Sequence, residues 1–152
     1  MIRGESAGVA AWAALLRVHA AVVPKLEREV AAKHLPLSWY DVLLELNGAP
    51  DRRLRMSELG ARVVLSRERV SRVIDELERA ELVRREPNPD DKRSSFAVIT
   101  NDGRRRLQAA APTYLAAIAR HYTDHLSDEE VRVITSALNR VLEAAEGSGD
   151  RR

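Results

Sequence analysis

The chain is 152 residues long, 45% hydrophobic and 32% charged, with no cysteine and a formal net charge of +2. Such a chain suits one domain, or two small lobes around a shared core; it is too charged for a membrane protein and too apolar for a disordered one. The missing cysteines exclude disulfides, thiolate metal sites and cysteine nucleophiles. Residues 1–5 do not form a signal peptide, and the longest apolar run, residues 9–16, is too short to span a bilayer, so a soluble cytoplasmic protein with no membrane partner is expected.

The first predicted element is a helix over residues 7–34. Val9, Trp12, Leu16, His19, Val23, Leu26 and Val30 recur at alternating steps of three and four, the spacing of a coiled-coil seam, and Pro24 predicts a kink. Ser38, with Asp41 three residues on, is the expected cap of a second helix that runs through Val42, Leu43 and Leu46 and stops at Asn47-Gly48. Ser57 then caps a short helix over 58–64, and Ser66 caps another over 67–80 whose apolar face is Val70, Val73, Ile74 and Leu77. Two short helices joined by a tight turn make a helix-turn-helix candidate.

After it the period changes. Residues 82–86 and 95–99 read as strands, and the polar stretch 87–93 between them as a turn, which gives a β-hairpin with a charged tip, a wing. Thr100 or Asn101 opens a fifth helix carrying Leu107, Ala111, Tyr114, Ile118 and Tyr122, with a second kink at Pro112. Ser127 to Glu130 is a full capping box for a sixth, with Val131, Ile134, Leu138, Val141 and Ala145 again at seam spacing; residues 148–152 form a frayed tail. The fold class is therefore mainly α with a small β-hairpin wing: a winged helix-turn-helix over 37–103 and a helical lobe assembled from both termini, 1–36 and 104–147.

The small net charge hides an asymmetry. Residues 52–106 carry 15 basic and 10 acidic side chains, a net of +5, whereas the remainder sums to −3. A basic middle suits a polyanion, although an arginine-rich solvated surface would give the same count. On a helical wheel of 67–80, Glu68 and Arg72 lie opposite the apolar stripe, Arg69 and Ser71 flank them, and Arg67 sits at the N-terminal end. Arginine reads guanine bidentately and glutamate accepts from cytosine, while Ser66 and the first free N–H groups suit a phosphate. Asp75, Glu76, Glu78 and Glu81 make the other end acidic, as expected where a helix leaves DNA. At the wing tip, Arg93 suits a narrow minor groove, with Asp91 pairing to its guanidinium; an ordinary turn ion pair is the plainer alternative. The six aromatic residues are too few to grip single strands by stacking.

The stretch 54–107 resembles the winged helix-turn-helix of the multiple-antibiotic-resistance-regulator (MarR) family. The resemblance is carried by Met56-Ser57-Glu58-Leu59-Gly60, by Leu65-Ser66-Arg67 through Leu77-Glu78, by Leu82-Val83-Arg84-Arg85, by Asp91-Lys92-Arg93-Ser94, and by Ile99-Thr100 with Gly103-Arg104. It implies a homodimeric transcription regulator, most simply a repressor, on a pseudo-palindromic double-stranded operator, often released by a small phenolic or anionic ligand. It also implies that Ser66, Arg67, Arg69, Ser71 and Arg72 occupy recognition-helix positions and that Asp91 and Arg93 form the wing pair; Lys92 between them is a further candidate DNA contact. Two departures stand out: the family usually has glycine where this chain has Glu81, and commonly where it has Val64, so each turn must avoid the left-handed region or accept strain.

Trp12, His19, Trp39, Tyr40 and Tyr114 are the candidates for a small aromatic or anionic ligand, with core or interface packing as the alternative. His121 and His125, at i and i+4, have the spacing of a metal pair but equally suit the C-terminal end of a helix dipole. No cofactor is called for, and no catalytic spacing or phosphate loop suggests an enzyme. The competing reading is a winged-helix protein-interaction module without sequence-specific DNA binding.

Overall fold

The computed structural model describes residues 6–63 and 65–147, and at Arg67 the backbone alone. Its elements are helices α1 (Ala7–Lys33) and α2 (Leu37–Gly48), strand β1 (Arg53–Arg55), helices α3 (Met56–Arg62) and α4 (Arg67–Arg79), strands β2 (Val83–Pro87) and β3 (Ser95–Ile99), and helices α5 (Asn101–His121) and α6 (Asp128–Gly147). Short 3₁₀ turns, Pro50–Arg52 and Thr123–His125, precede β1 and α6. The protein is thus mainly α with a small antiparallel sheet.

That sheet has three strands rather than the two of the expected hairpin. Their order is β1-β3-β2, with Leu54 opposite Ala97 and Arg85 opposite the same residue from the other side. Sequence periodicity cannot reveal a strand of three residues. β1 follows Asp51 and Arg52, both at positive φ, which turn the chain back onto the sheet.

Two predicted caps move. The second helix begins at Leu37, not at Ser38: the carbonyl of Pro36 accepts from the N–H groups of Trp39 and Tyr40, at 3.0 and 3.1 Å, and Pro36 already holds the φ that a helix start needs. The third begins at Met56, two residues earlier than expected, and Ser57 falls inside it. There Glu58 reaches back to accept from the N–H of Arg55 at 3.1 Å, half of a capping box supplied by the acid. Ser66, Thr100 and Ser127 cap as expected, accepting from the N–H groups of Arg69, Gly103 and Glu130. Pro24 and Pro112 lie inside continuous helices, so each removes a backbone donor without ending its helix. The tail 148–152 and the Val64 turn lie outside the described residues.

One core joins the elements. Val42, Leu43 and Leu46 of α2, Leu59 of α3, Ile74 and Leu77 of α4, Ala97 of β3 and Ala110 and Ala117 of α5 are all fully buried, and Leu26 of α1 packs into the same cluster. The outer helices are different. In α1 only Leu26 and Val30 are buried, in α6 no residue is, and Trp12, Val141 and Leu142 are 60%, 64% and 57% exposed.

The expectation that nothing could span a bilayer needs correction. Helix α1, 27 residues long, contains an 18-residue window of mean hydropathy 1.5, long and apolar enough by length and composition to cross a membrane. Counting uninterrupted apolar runs missed this, because Arg17 alone divides the stretch.

Candidate nucleic-acid interface

The face of α4 away from the core is a row of exposed polar side chains. Val70, Val73, Ile74 and Leu77 are buried, while Glu68, Arg69, Ser71 and Arg72 are exposed, as is Ser66 at the cap. The side chain of Arg67 lies outside the described residues. Among the described residues, no carboxylate lies within ion-pair distance of Arg69, Arg72, Lys92 or Arg93, whereas Arg53, Arg84 and Arg85 in the sheet are each paired with an acid. Among those residues, the first half of α4 and the wing tip thus each carry cations without an ion-pair partner, as do Arg52, Arg55, Arg62 and Arg79 elsewhere in the basic middle.

The wing tip is built by short side chains bonding to backbone. Asn88, only 3% exposed, donates from Nδ2 to Ser94 Oγ at 2.9 Å and accepts at Oδ1 from the N–H of Asp90 at 3.0 Å. Asp91 Oδ1 accepts from the backbone N–H of Arg93 at 2.9 Å. The expected pairing of Asp91 with the Arg93 guanidinium is thus replaced by an Asx-type turn, which leaves the guanidinium unpaired. Asn88 was missed in the sequence; its position next to Pro-Asp-Asp is the signal of such a turn.

The acidic end of α4 does more than leave a polyanion. Asp75 pairs with the guanidinium of Arg85, Glu78 accepts from the backbone N–H of Arg85 at 3.1 Å, and Glu76 accepts from Trp39 Nε1 at 2.9 Å. These contacts attach α4 to β2 on one side and to α2 on the other. Beside the sheet, the Arg53 guanidinium lies over the Phe96 ring, 4.4 Å from its centroid.

Of the aromatic candidates, the structure brings together Tyr40 and Tyr114, while Trp39, next to Tyr40 on α2, is bonded to Glu76 of α4. The rings of Tyr40 and Tyr114 meet at 4.6 Å and 57°, at the junction of α2 and α5. Burial raises both hydroxyl pKa values, with the Asp41 carboxylate adding to it. Asp41 itself is pushed up to about 6, first by burial and then by Glu45 and Glu27. Trp12 and His19 are exposed on the first half of α1.

His121 and His125 have separate partners. His121 Nε2 lies 2.5 Å from Glu29 Oε1, and His125 Nε2 lies 3.1 Å from the carbonyl of Arg120. Glu29 is held below the usual carboxylate range chiefly by the hydrogen bond from His121, with Arg120 adding to it. Among the described residues, no group of three potential ligands is placed to hold a metal.

A short helix, a second helix capped by Ser66 with unpaired arginines outward, and a basic hairpin beside it define a winged helix-turn-helix DNA-binding protein. Comparison with known proteins makes the class specific. The MarR family model matches residues 35–94. The crystal structure of AbsC, a MarR family transcriptional regulator from Streptomyces coelicolor, superposes with a TM-score of 0.84 at 32% identity, over 95% of this chain and 99% of that one. Sco3205, a MarR family transcriptional regulator from the same organism solved in complex with DNA, does so with a TM-score of 0.84 at 30% identity, over 93% of this chain and 91% of that one. The HTH-type transcriptional regulator YkoM of Bacillus subtilis (strain 168) is 35% identical over 80 residues, 53% of this chain; the match spans about half, 52%, of that relative's length. The chain belongs to the MarR family of DNA-binding transcription regulators.

Proposed function

We propose that this chain is a soluble, cytoplasmic repressor that binds a pseudo-palindromic operator as a homodimer. Helix α4 enters the major groove with Arg67, Glu68, Arg69, Ser71 and Arg72 toward the bases and Ser66 at a phosphate, and Lys92 and Arg93 follow the flanking backbone and minor groove. The observation that carries this reading is the placement of unpaired arginines on one face of α4 and on the wing tip, in a fold shared at 30% identity with a relative solved on DNA. Asp91 serves the interface indirectly, by shaping the turn that presents Arg93.

The second copy accounts for the exposed apolar seams. Residues of α1, the end of α5 and α6 (Leu15, Val18, Tyr122, Leu126, Ile134 and Leu138 among them) line an open apolar groove of about 380 Å³. We assign this surface to a helical dimerisation lobe formed by residues 1–36 and 104–147, with 37–103 as the DNA-binding lobe, rather than to a membrane. In this lobe the seams of α1 and α6 form one apolar surface, which a two-fold axis can pair with the same surface of the second copy. Occupancy of an operator that overlaps a promoter then blocks polymerase. A small aromatic or anionic ligand at the Tyr40–Tyr114 junction, where the two lobes meet, is proposed to shift DNA affinity. The protein is read as a binder with no catalytic step.

Selection from a random duplex pool with the purified protein tests the central claim. The expected outcome is a pseudo-palindrome with half-sites about one turn, 10–10.5 bp, apart. Recovery of no preferred duplex overturns it and leaves the protein-interaction module.

A further inference from the structure

Asp75 and Glu76 are consecutive, so they leave α4 about 100° apart, and they attach it to different neighbours. Asp75 pairs with Arg85 of β2, with Glu78 on the same strand's backbone, while Glu76 accepts from Trp39 Nε1 of α2 at 2.9 Å. Arg72 precedes them by three and four residues, which places its exit from the helix between the two attachments. The next residue of α2, Tyr40, is buried against Tyr114 of α5. One turn of α2 is thereby fixed to α5 and to the side of α4.

We infer that Trp39 and Glu76 are positioning residues for DNA reading: their bond fixes the rotation of α4 about its own axis, and with it the aim of Arg72. The inference rests on α4 being the recognition helix. The apolar core beneath α4 sets how closely the helix packs, but the contacts of Val70, Val73, Ile74 and Leu77 are non-directional. A hydrogen bond from an indole to a carboxylate is directional and charge-assisted. Bidentate reading of a base edge fails once donor and acceptor drift past hydrogen-bond range, so a small roll of the helix weakens specific contacts first. Contacts to phosphate, made by long mobile side chains, tolerate it.

The roles separate experimentally without DNA. In the full-length protein, amide hydrogen exchange along α4 should be faster in Trp39→Phe and in Glu76→Ala, and no faster in the double variant. Glu76→Gln, which keeps the acceptor, should stay near the parent. Ile74 and Leu77 remain in place, so all four proteins should stay folded by circular dichroism. On the selected operator, each single variant should bind about tenfold more weakly, the double no worse, with affinity for an unrelated duplex and the salt slope unchanged. Unchanged exchange, additive losses in the double variant, or equal losses on specific and unrelated duplexes would overturn the inference. A gain on every duplex in Glu76→Ala would do so as well, since Glu76 would then act only as a repelling charge. The exchange measurement stands whether or not selection yields an operator, so failure of the Trp39–Glu76 positioning and failure of the DNA reading are distinguishable.

Discussion

Gly103 lies directly against Leu82. A methyl group on Gly103 would collide with the Leu82 carbonyl oxygen and come within 2.8 Å of Ile99 Cγ1. The same carbonyl accepts from the N–H of Thr100 at 3.0 Å, and the Thr100 hydroxyl donates to the carbonyl of Glu81 at 2.8 Å. Four residues thus clamp the start of α5, the end of β3 and the turn entering β2, and this clamp holds the wing to the helix that leads into α6.

Replacing Gly103 by alanine should cost about 1–3 kcal/mol, because the atoms it meets first belong to backbone and cannot swing aside. Chemical denaturation followed by circular dichroism measures this. A midpoint within error of the parent protein would show that α5 and β2 can part without penalty.

The same clamp shows what the sequence could and could not reveal. Glu81 adopts φ 61°, so of the two possibilities open to a turn lacking glycine, this one accepts the left-handed conformation. That choice depends on the Thr100 hydroxyl and the Leu82 carbonyl, which are distant in sequence. Helices with seams and polar caps were legible because their information is local: Ser66, Thr100 and Ser127 act on donors three residues away. Strand β1 was not, since Leu54 gains its place only by pairing with Ala97. In the site, the outward residues of α4 follow from periodicity alone. The attachments of Asp75, Glu76 and Glu78 do not, because wheel geometry shows a flank and not its neighbour. Asp91 illustrates the same limit: an acid two residues before an arginine allows either a side-chain pair or a backbone turn, and the tight tip around Asn88 selects the turn.

If α4 and the wing divide base reading from backbone contact, their arginines should fail differently. Arg72→Ala should lower affinity for the selected operator by about 1–3 kcal/mol and relax preference at one base pair. Arg93→Ala should weaken every duplex and reduce the slope of log affinity against log salt by about 0.9 per lost phosphate contact. A salt series on operator and unrelated duplexes separates the two. Indistinguishable behaviour would remove the division of labour between helix and wing.

The exposed seam of α6 yields a prediction about assembly. Val141 is 64% exposed in the single chain, so Val141→Glu should leave the monomer folded. In a two-fold interface it would bury a charge without a partner, at a cost of several kcal/mol in each copy. Sedimentation should therefore show a dimer for the parent and a monomer for the variant at micromolar concentration, with weakened binding to a two-half-site duplex. A variant that still sediments as a dimer would place the interface elsewhere.

Asp41 makes stability depend on pH in a direction unusual for a carboxylate. Burial, and then Glu45 and Glu27, raise its pKa from 3.8 to about 6. Below pH 4 the group is protonated in folded and unfolded chains alike and contributes nothing. Between about 4 and 6 the folded protein holds a proton that the unfolded chain has released, so this contribution to stability declines as pH rises. Above 6 the folded state carries the full cost of a charged carboxylate near two others. A shift of two pKa units corresponds to about 3 kcal/mol at most, and solvent reaching the half-buried carboxyl reduces this to about 1 kcal/mol. Asp41→Asn removes the charge at all pH values. It should therefore raise the melting temperature at pH 7.5 by roughly 2–4 °C, with the difference between variant and parent shrinking toward zero by pH 4. Thermal unfolding at a series of pH values measures that difference. An offset of equal size across the whole range would assign the effect to packing and not to the charge of Asp41.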